Sequence, residues 1–222
     1  KLGHAFNLGF ALTTGVQVFE YRGEPDRALA RVEEAERIGR ESSIPFVSEV
    51  LAQMMRGMAY LRAGRWRESV DQIEHGIRMW HGHGANIWNP YARALQAEAL
   101  ALCGDLDGAL ALIQGSVAQI RRPGWEERSH LAEVLRIEAW MRRRQGNLAD
   151  AEALLHESLD VARSQAAKSW ELRTATTLAE LLSERGERGA ARDVLLPVHA
   201  WFTEGFETRD LRNARELLRR LD

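Results

Sequence analysis

The sequence predicts an all-α chain of five antiparallel helix pairs closed by a C-terminal capping helix. Three observations predict it. A helix-ending glycine recurs at Gly23, Gly64, Gly104, Gly146 and Gly186, spaced 41, 40, 42 and 40 residues apart, and a fixed period of this length is the mark of a repeat array. Small and aliphatic residues recur in the same frame. Period-two alternation, the signature of strands, is absent over any useful length.

The stretch Gly146-Asn147-Leu148-Ala149-Asp150-Ala151 shows the turn most clearly. Glycine reaches positive φ without a Cβ clash and suits the residue after a helix. Asn147 follows as an N-cap. Five residues after each glycine stand Ala28, Ser69, Ala109, Ala151 and Ala191. Nine after stand Val32, Ile73, Ile113, Leu155 and Leu195, and twelve after stand Ala35, Gly76, Ser116, Ser158 and Val198. Seven before stand Val16, Gly57, Ala97, Ala139 and Ala179, mostly small, which lets a neighbouring helix approach closely.

These columns resemble the tetratricopeptide repeat (TPR): a small residue in helix A, a turn glycine, an alanine early in helix B, then a large apolar residue. The resemblance implies a TPR-like right-handed superhelix. The period exceeds the usual 34 residues of that motif, so helix B or the loops are expected to be longer.

In chain order, helix 1A is expected over about 4–22, with Phe6, Phe10, Val16 and Phe19 near helical spacing. Pro25 opens helix 1B, which runs to about Ser42; proline at a first helical position costs no hydrogen bond. Pro45 opens helix 2A, ending at Arg62, and Trp66 opens helix 2B, striped by Val70, Ile73, Ile77 and Trp80. The glycine-rich run from His81 to Asn86 is read as the longest irregular stretch. Helix 3A covers about Ile87–Leu102, and 3B runs from Asp105 to near Arg122. Helices 4A and 4B cover about 126–145 and 148–165; 5A and 5B cover about 169–185 and 188–204. Pro197 should kink 5B, and Gly205 should stop it. The last helix, about 209–221, carries Leu211, Ala214, Leu218 and Leu221 on one face and arginines on the other, as a capping helix would. The expected organisation is one repeat domain over 1–222, with repeats at about 4–43, 44–84, 85–124, 125–166 and 167–206 and a cap at 207–222. No N-terminal cap is visible and the chain opens Lys1-Leu2-Gly3, so it reads as a fragment of a longer protein.

Composition narrows function. The net charge is −2, from 30 basic and 32 acidic residues, so no global field favours nucleic acid or an anionic membrane. No apolar run approaches the ~18 residues of a membrane helix. The single cysteine, Cys103, fits a reducing, cytoplasmic compartment, and its place at the end of an apolar helix predicts a buried, inert thiol. His75, His81 and His83 are read as parts of a solvated stretch rather than metal ligands, because no fixed carboxylate or second cysteine accompanies them. No phosphate-binding loop, nucleophile elbow or zinc-protease motif occurs. The adjacent pairs Glu33-Glu34 and Glu126-Glu127 diverge by about 100° on a helix and cannot share a proton. No catalytic residue, cofactor or metal is therefore expected. The run Arg142-Arg143-Arg144 beside Trp140 is short for a nucleic-acid patch and reads as a protein-facing or solvated surface.

The usual TPR frame implies a concave groove at ten, six and two residues before each glycine. Its members here are Thr13, Gln17 and Tyr21; Met54, Met58 and Arg62; Ala94, Glu98 and Leu102; Arg136, Trp140 and Arg144; and Thr176, Glu180 and Glu184. Such a groove suits a peptide with an acidic portion and an apolar anchor. The expected partner is a protein or peptide, or upstream domains of the same chain; the sequence does not specify an oligomeric state.

The last seventy residues carry a more specific likeness. Ser169-Trp170-Glu171-Leu172-Arg173 and Trp201-Phe202-Thr203-Glu204-Gly205-Phe206-Glu207-Thr208-Arg209-Asp210-Leu211 resemble the C-terminal end of large bacterial regulators. Those carry a class III adenylate/guanylate cyclase domain, an AAA-type ATPase and TPR-like helices. The likeness implies a non-catalytic regulatory or interaction domain of a multidomain signalling protein. Two alternatives are a small-ligand sensor groove around Trp140, Met58 and Glu98, and the helical arm of an ATPase-type transcriptional regulator. Trp170, Trp201, Phe202 and Phe206 are expected to seal the last repeat against the capping helix, with Arg173 and Glu204 pairing there.

Overall fold

The computed structural model describes residues 4–84 and 87–222. Among these no strand occurs, and the chain is all-α. The helices are α1 Ala5–Arg22, α2 Pro25–Glu41, α3 Ala52–Arg62, α4 Trp66–Gly82, α5 Asn89–Leu102, α6 Leu106–Arg121, α7 Leu131–Arg144, α8 Leu148–Ser164, α9 Lys168–Glu184, α10 Arg188–Ala200 and α11 Arg209–Leu221. They form two compact units, 1–112 and 113–222, with the boundary inside α6.

All five repeat turns close in one way. Gly23, Gly64, Gly104, Gly146 and Gly186 have φ of 73°, 77°, 99°, 86° and 82°. Beyond each glycine the next N–H reaches back five residues: Glu24 to Phe19, Arg65 to Tyr60, Asp105 to Leu100, Asn147 to Arg142 and Glu187 to Leu182, at 2.9–3.2 Å. This is the Schellman closure, which satisfies helix-end carbonyls and needs a left-handed residue. Asn147 caps α8 by accepting the Asp150 N–H.

The repeat columns are the core. Ala28, Ser69, Ala109, Ala151 and Ala191 are all 0 % exposed, and Val32, Ile73, Ile113, Leu155 and Leu195 are at most 1 % exposed. Small residues hold helices A and B together through their backbones. The Ser69 hydroxyl donates to the Gly57 carbonyl at 2.8 Å. The Ser158 hydroxyl donates to Ala132 at 2.7 Å and receives a bond from Thr174 at 2.8 Å.

In the first unit α1 packs on α2, α3 on α4, and α5 lies against α3 and α4. An aromatic series runs Phe6–Phe46–Trp80–Trp88, with ring centroids 6.4, 5.7 and 6.4 Å apart. In the second unit α7 pairs with α8 and α9 with α10, and α11 covers α9 and α10. Leu211, Ala214, Leu217, Leu218 and Leu221 of α11 enter that core, with Arg212, Arg219 and Arg220 exposed as the capping pattern predicts and Arg209 and Arg215 half-buried.

Several boundaries differ from expectation, each for a local reason. Helix 2A does not begin as an α-helix: Phe46–Leu51 is π-helical. The Ala52 N–H bonds Val47, and the freed Ser48 carbonyl accepts the Gln53 amide at 3.0 Å. His81 and Gly82 belong to α4, so the irregular stretch is shorter than predicted; Ala85 and Asn86 lie outside the described residues. Helix 3A starts at Asn89 because Trp88 sits at φ 66° and cannot continue a right-handed helix. Helix 4A starts at Leu131, not 126. Carbonyls that would open it are taken elsewhere: Glu127 by the Trp125 indole at 3.0 Å and Arg128 by the Gln165 amide at 2.8 Å. Helix 5B ends at Ala200 rather than 204. Past Pro197, Trp201 and Phe202 bond three residues back and tighten the chain out of the helix.

The predicted aromatic seal is mostly absent. Phe202 packs on the C-terminal core, but Trp201 and Phe206 are exposed. Trp170 instead lies 6.1 Å from the His130 ring. Arg173 pairs with Asp210 (2.6 Å) and Glu133 (3.1 Å) instead of Glu204, which is exposed. Cys103 is exposed, correcting the buried thiol. It occupies the last residue before Gly104, where the chain leaves the helix toward solvent.

His130 offers a pH test. Burial lowers its pKa from 6.5 to about 4, outweighing the pull of Glu133. The unfolded chain therefore binds the proton first, and stability should fall as pH drops from about 6.5 to about 4, by about 2–3 kcal/mol. His130→Phe, which keeps the ring beside Trp170, should remove that part of the slope in urea unfolding followed across this window. An unchanged slope would show that other groups set it.

Candidate functional site

Two polar constellations are built on the A helices, one in each unit. In the first unit Arg62 Nε donates to Glu20 Oε1 at 2.6 Å and Nη1 donates to Glu98 Oε1 at 2.9 Å. The three residues come from α1, α3 and α5. The Arg62 side chain is 9 % exposed and that of Glu20 is 2 % exposed. Burial works against the Arg62 charge, but Glu98 and Glu20 outweigh it and raise its pKa well above the ordinary arginine value. Two carboxylates already match the charge of this buried cation, so it presents no free positive charge to a ligand. This cluster clamps successive A helices together.

The second constellation is an open cleft of about 410 Å³ lined by Trp140, Arg143, Arg144, Leu148, Glu180 and Glu184. It forms between the C-terminal ends of α7 and α9, with Leu148 opening α8. The Arg143 Nε donates to Glu184 at 3.0 Å, and its Nη1 donates to Glu180 at 3.4 Å. The Arg144 guanidinium lies 5.1 Å from the Trp140 ring centroid. It is exposed, and among the described residues no carboxylate lies in ion-pair contact with it. The cleft thus presents an aromatic face, an aliphatic edge and the Arg144 cation, beside two carboxylates that share the single charge of Arg143.

The predicted groove residues divide accordingly. Trp140, Arg144, Glu180 and Glu184 are brought together in the cleft. Arg136 stands apart from its lining, held by Glu133 at 2.7 and 2.9 Å. Arg62 and Glu98 form the buried clamp. Gln17 and Tyr21 are half-buried on α1. Met54 and Met58 correct the prediction: they are 0 % and 2 % exposed core residues. α3 is flanked by α1 and α5, so positions that face a groove in a more open array are covered here. Thr13 and Ala94 are buried for the same reason.

Arg143 was not legible as a groove residue, because it lies three positions before Gly146 and outside the ten-six-two frame. The available signal was the pair Glu180 and Glu184 on the next A helix, one turn apart and able to meet one cation.

The three histidines do not converge. His83 Nδ1 bonds the Met79 carbonyl at 2.9 Å, His81 Nε2 meets the Asn89 amide at 3.1 Å, and His75 is exposed. Among the described residues no group of three or more His, Cys, Asp or Glu could hold a metal. No described helix is long and apolar enough to cross a membrane.

The tetratricopeptide-repeat family model matches residues 90–114, 129–157 and 172–197. These stretches are similar to tetratricopeptide repeats. They fall on pairs three, four and five of the internal array and include the cleft residues Trp140, Arg143, Arg144, Leu148, Glu180 and Glu184. Two crystal structures of a Podosopora anserina protein, described as a kinesin light chain with nearly identical TPR-like repeats, are similar in fold. The form titled Q17M has a TM-score of 0.58 and the other 0.56; each is 18 % identical, covering 90 % of this chain and 96 % of that one. Comparison with curated proteins finds no match. The TPR-like fold expected from the glycine columns is therefore the fold observed.

Proposed function

We propose that this chain is a non-catalytic protein-interaction domain whose contact surface includes the Trp140–Arg144 cleft of pairs four and five. The observation that carries this reading is the free guanidinium of Arg144 over the Trp140 ring, at the mouth of a cleft edged by Leu148. An acidic side chain on a peptide would pair with Arg144, and an apolar neighbour would cover Trp140 and Leu148. Aromatic and arginine side chains of this kind are the usual anchors of interfaces. Arg144, Leu148 and Glu184 are exposed, which supports an extended peptide over an enclosed small ligand.

The test uses fluorescein-labelled acidic peptides carrying one aromatic or branched aliphatic residue. Binding is expected to weaken with salt, and Arg144→Glu should weaken it about tenfold or more by turning attraction into repulsion. Trp140→Ala should remove the apolar share. Affinity indifferent to both substitutions would sink the reading.

The finer reading is regulatory: a partner or neighbouring domain of a signalling regulator, of the class III cyclase or AAA-type ATPase kind, seats in this cleft. It rests on the Ser169–Arg173 and Trp201–Leu211 stretches. Cyclase and ATPase rates of a chain joining such domains to residues 1–222 should change when Arg144→Glu is introduced. Unchanged rates would favour recruitment of a separate protein.

A further inference from the structure

The two walls of the Trp140–Arg144 cleft differ in charge. On the α7 side Arg144 is exposed over the Trp140 ring and brings one positive charge. On the α9 side Glu180 and Glu184 stand one turn apart and share Arg143, which reaches across from α7. Two carboxylates against one cation leave that wall one charge negative. The cleft as a whole is therefore neutral but dipolar.

The sharing is unequal. Arg143 engages Glu184 through both Nη2 and Nε, the latter at 3.0 Å, whereas Glu180 receives one long bond of 3.4 Å from Nη1. An ionised carboxylate offers about four lone-pair sites, so Glu180 keeps most of its bonding capacity. Its side chain is 43 % exposed, and a cation from outside can reach it. The clamp of the first unit has the same two-to-one ratio, but its Glu20 and Glu98 side chains are 2 % and 15 % exposed and closed to a partner. Like charges four residues apart on a helix repel, and a second cation beside Glu180 relieves that repulsion as well.

Spacing sets the ligand. α7 and α9 are in contact, and packed helices lie about 8–10 Å apart. In an extended peptide, side chains two residues apart point to the same side and are separated by about 7 Å along the chain. The reach of a lysine side chain closes the remainder, and its apolar stem suits a cleft edged by Leu148.

We infer that the cleft takes a dipolar segment: an extended peptide whose acidic side chain pairs with Arg144 and whose basic side chain, two residues away, pairs with Glu180. The inference rests on the cleft being the contact surface proposed above.

Fluorescence anisotropy with the 222-residue protein tests it. Three labelled peptides share one leucine and a central glutamate, and carry lysine, glutamine or glutamate two residues to either side, so that chain direction does not matter. The lysine peptide should bind about threefold more tightly than the glutamine peptide, as one partly exposed ion pair allows. Glu180→Gln should abolish that difference. Glu180→Lys should invert the preference between the lysine and glutamate peptides by about tenfold, because attraction and repulsion exchange places. Glu180 makes one long bond, so its replacement leaves the fold intact, which circular dichroism checks. If Arg144→Glu weakens every peptide but lysine confers no advantage, or an advantage that survives Glu180→Gln, the dipolar ligand is overturned and the cleft reading stands. Affinities indifferent to Arg144→Glu would overturn both.

Discussion

Arg62→Met is expected to destabilise the first unit by about 3–5 kcal/mol, the cost of leaving buried charge without its partner. Glu20 is 2 % exposed and among the described residues has no other ion-pair partner, while Glu98 would keep one carboxylate oxygen already buried without a bond and lose the partner of the other. Methionine fills much of the arginine stem's volume, so the loss reports charge more than packing. Denaturant unfolding checks it. The triple change Glu20→Gln/Arg62→Met/Glu98→Gln should recover most of the loss, because neutral amides tolerate burial better than carboxylates. If Arg62→Met alone costs less than about 1 kcal/mol, as exposed pairs do, the clamp is not what holds α1, α3 and α5 together.

The second large effect belongs to Gly57. A Cβ there would lie 2.5 Å from Ile73 Cγ1 and 2.8 Å from the Ile73 backbone nitrogen. The backbone atom cannot rotate away, so α3 and α4 must separate. Gly57→Val should therefore cost about 3 kcal/mol or more, at the upper end for overpacking. The Ser69–Gly57 bond, which needs the same close approach, is expected to go with it. Gly115 in α6 is the control. Nothing lies within 4 Å of its added Cβ, and Gly115→Ala should raise stability by about 0.5–1 kcal/mol through helix propensity. Thermal melts of the two variants should shift in opposite directions. A Gly57→Val protein as stable as the parent would mean that the small column is not a packing constraint.

The kinesin-light-chain-like neighbours and the repeat match agree with what the turn frame already contained. Gly146 must be left-handed, Ala151 must be small and Leu155 must be apolar, and each requirement acts within one helix–turn–helix. The cleft was partly legible too: Trp140, Arg144, Glu180 and Glu184 were found from the repeat frame, whereas Arg143 needed the next repeat's carboxylates. Local competitors explain the misplaced ends. The Trp125 indole on the Glu127 carbonyl, the left-handed Trp88 and the π-helical turn at Phe46 each override a helical pattern through one or two bonds.

What the sequence by itself determined is the all-α repeat: five glycine turns, the small and aliphatic columns, and the amphipathic α11. Backbone sterics and helical periodicity are local, and both survive in a linear reading. Only the tertiary structure decided which A-helix positions meet solvent. Met54 and Met58 are buried because α1 and α5 flank α3, Cys103 is exposed because the chain turns outward beside it, and Arg173 chose Glu133 and Asp210 over Glu204. Partners for these side chains come from neighbouring helices some forty residues away, and burial and ion pairing depend on those neighbours rather than on the helix that carries the residue.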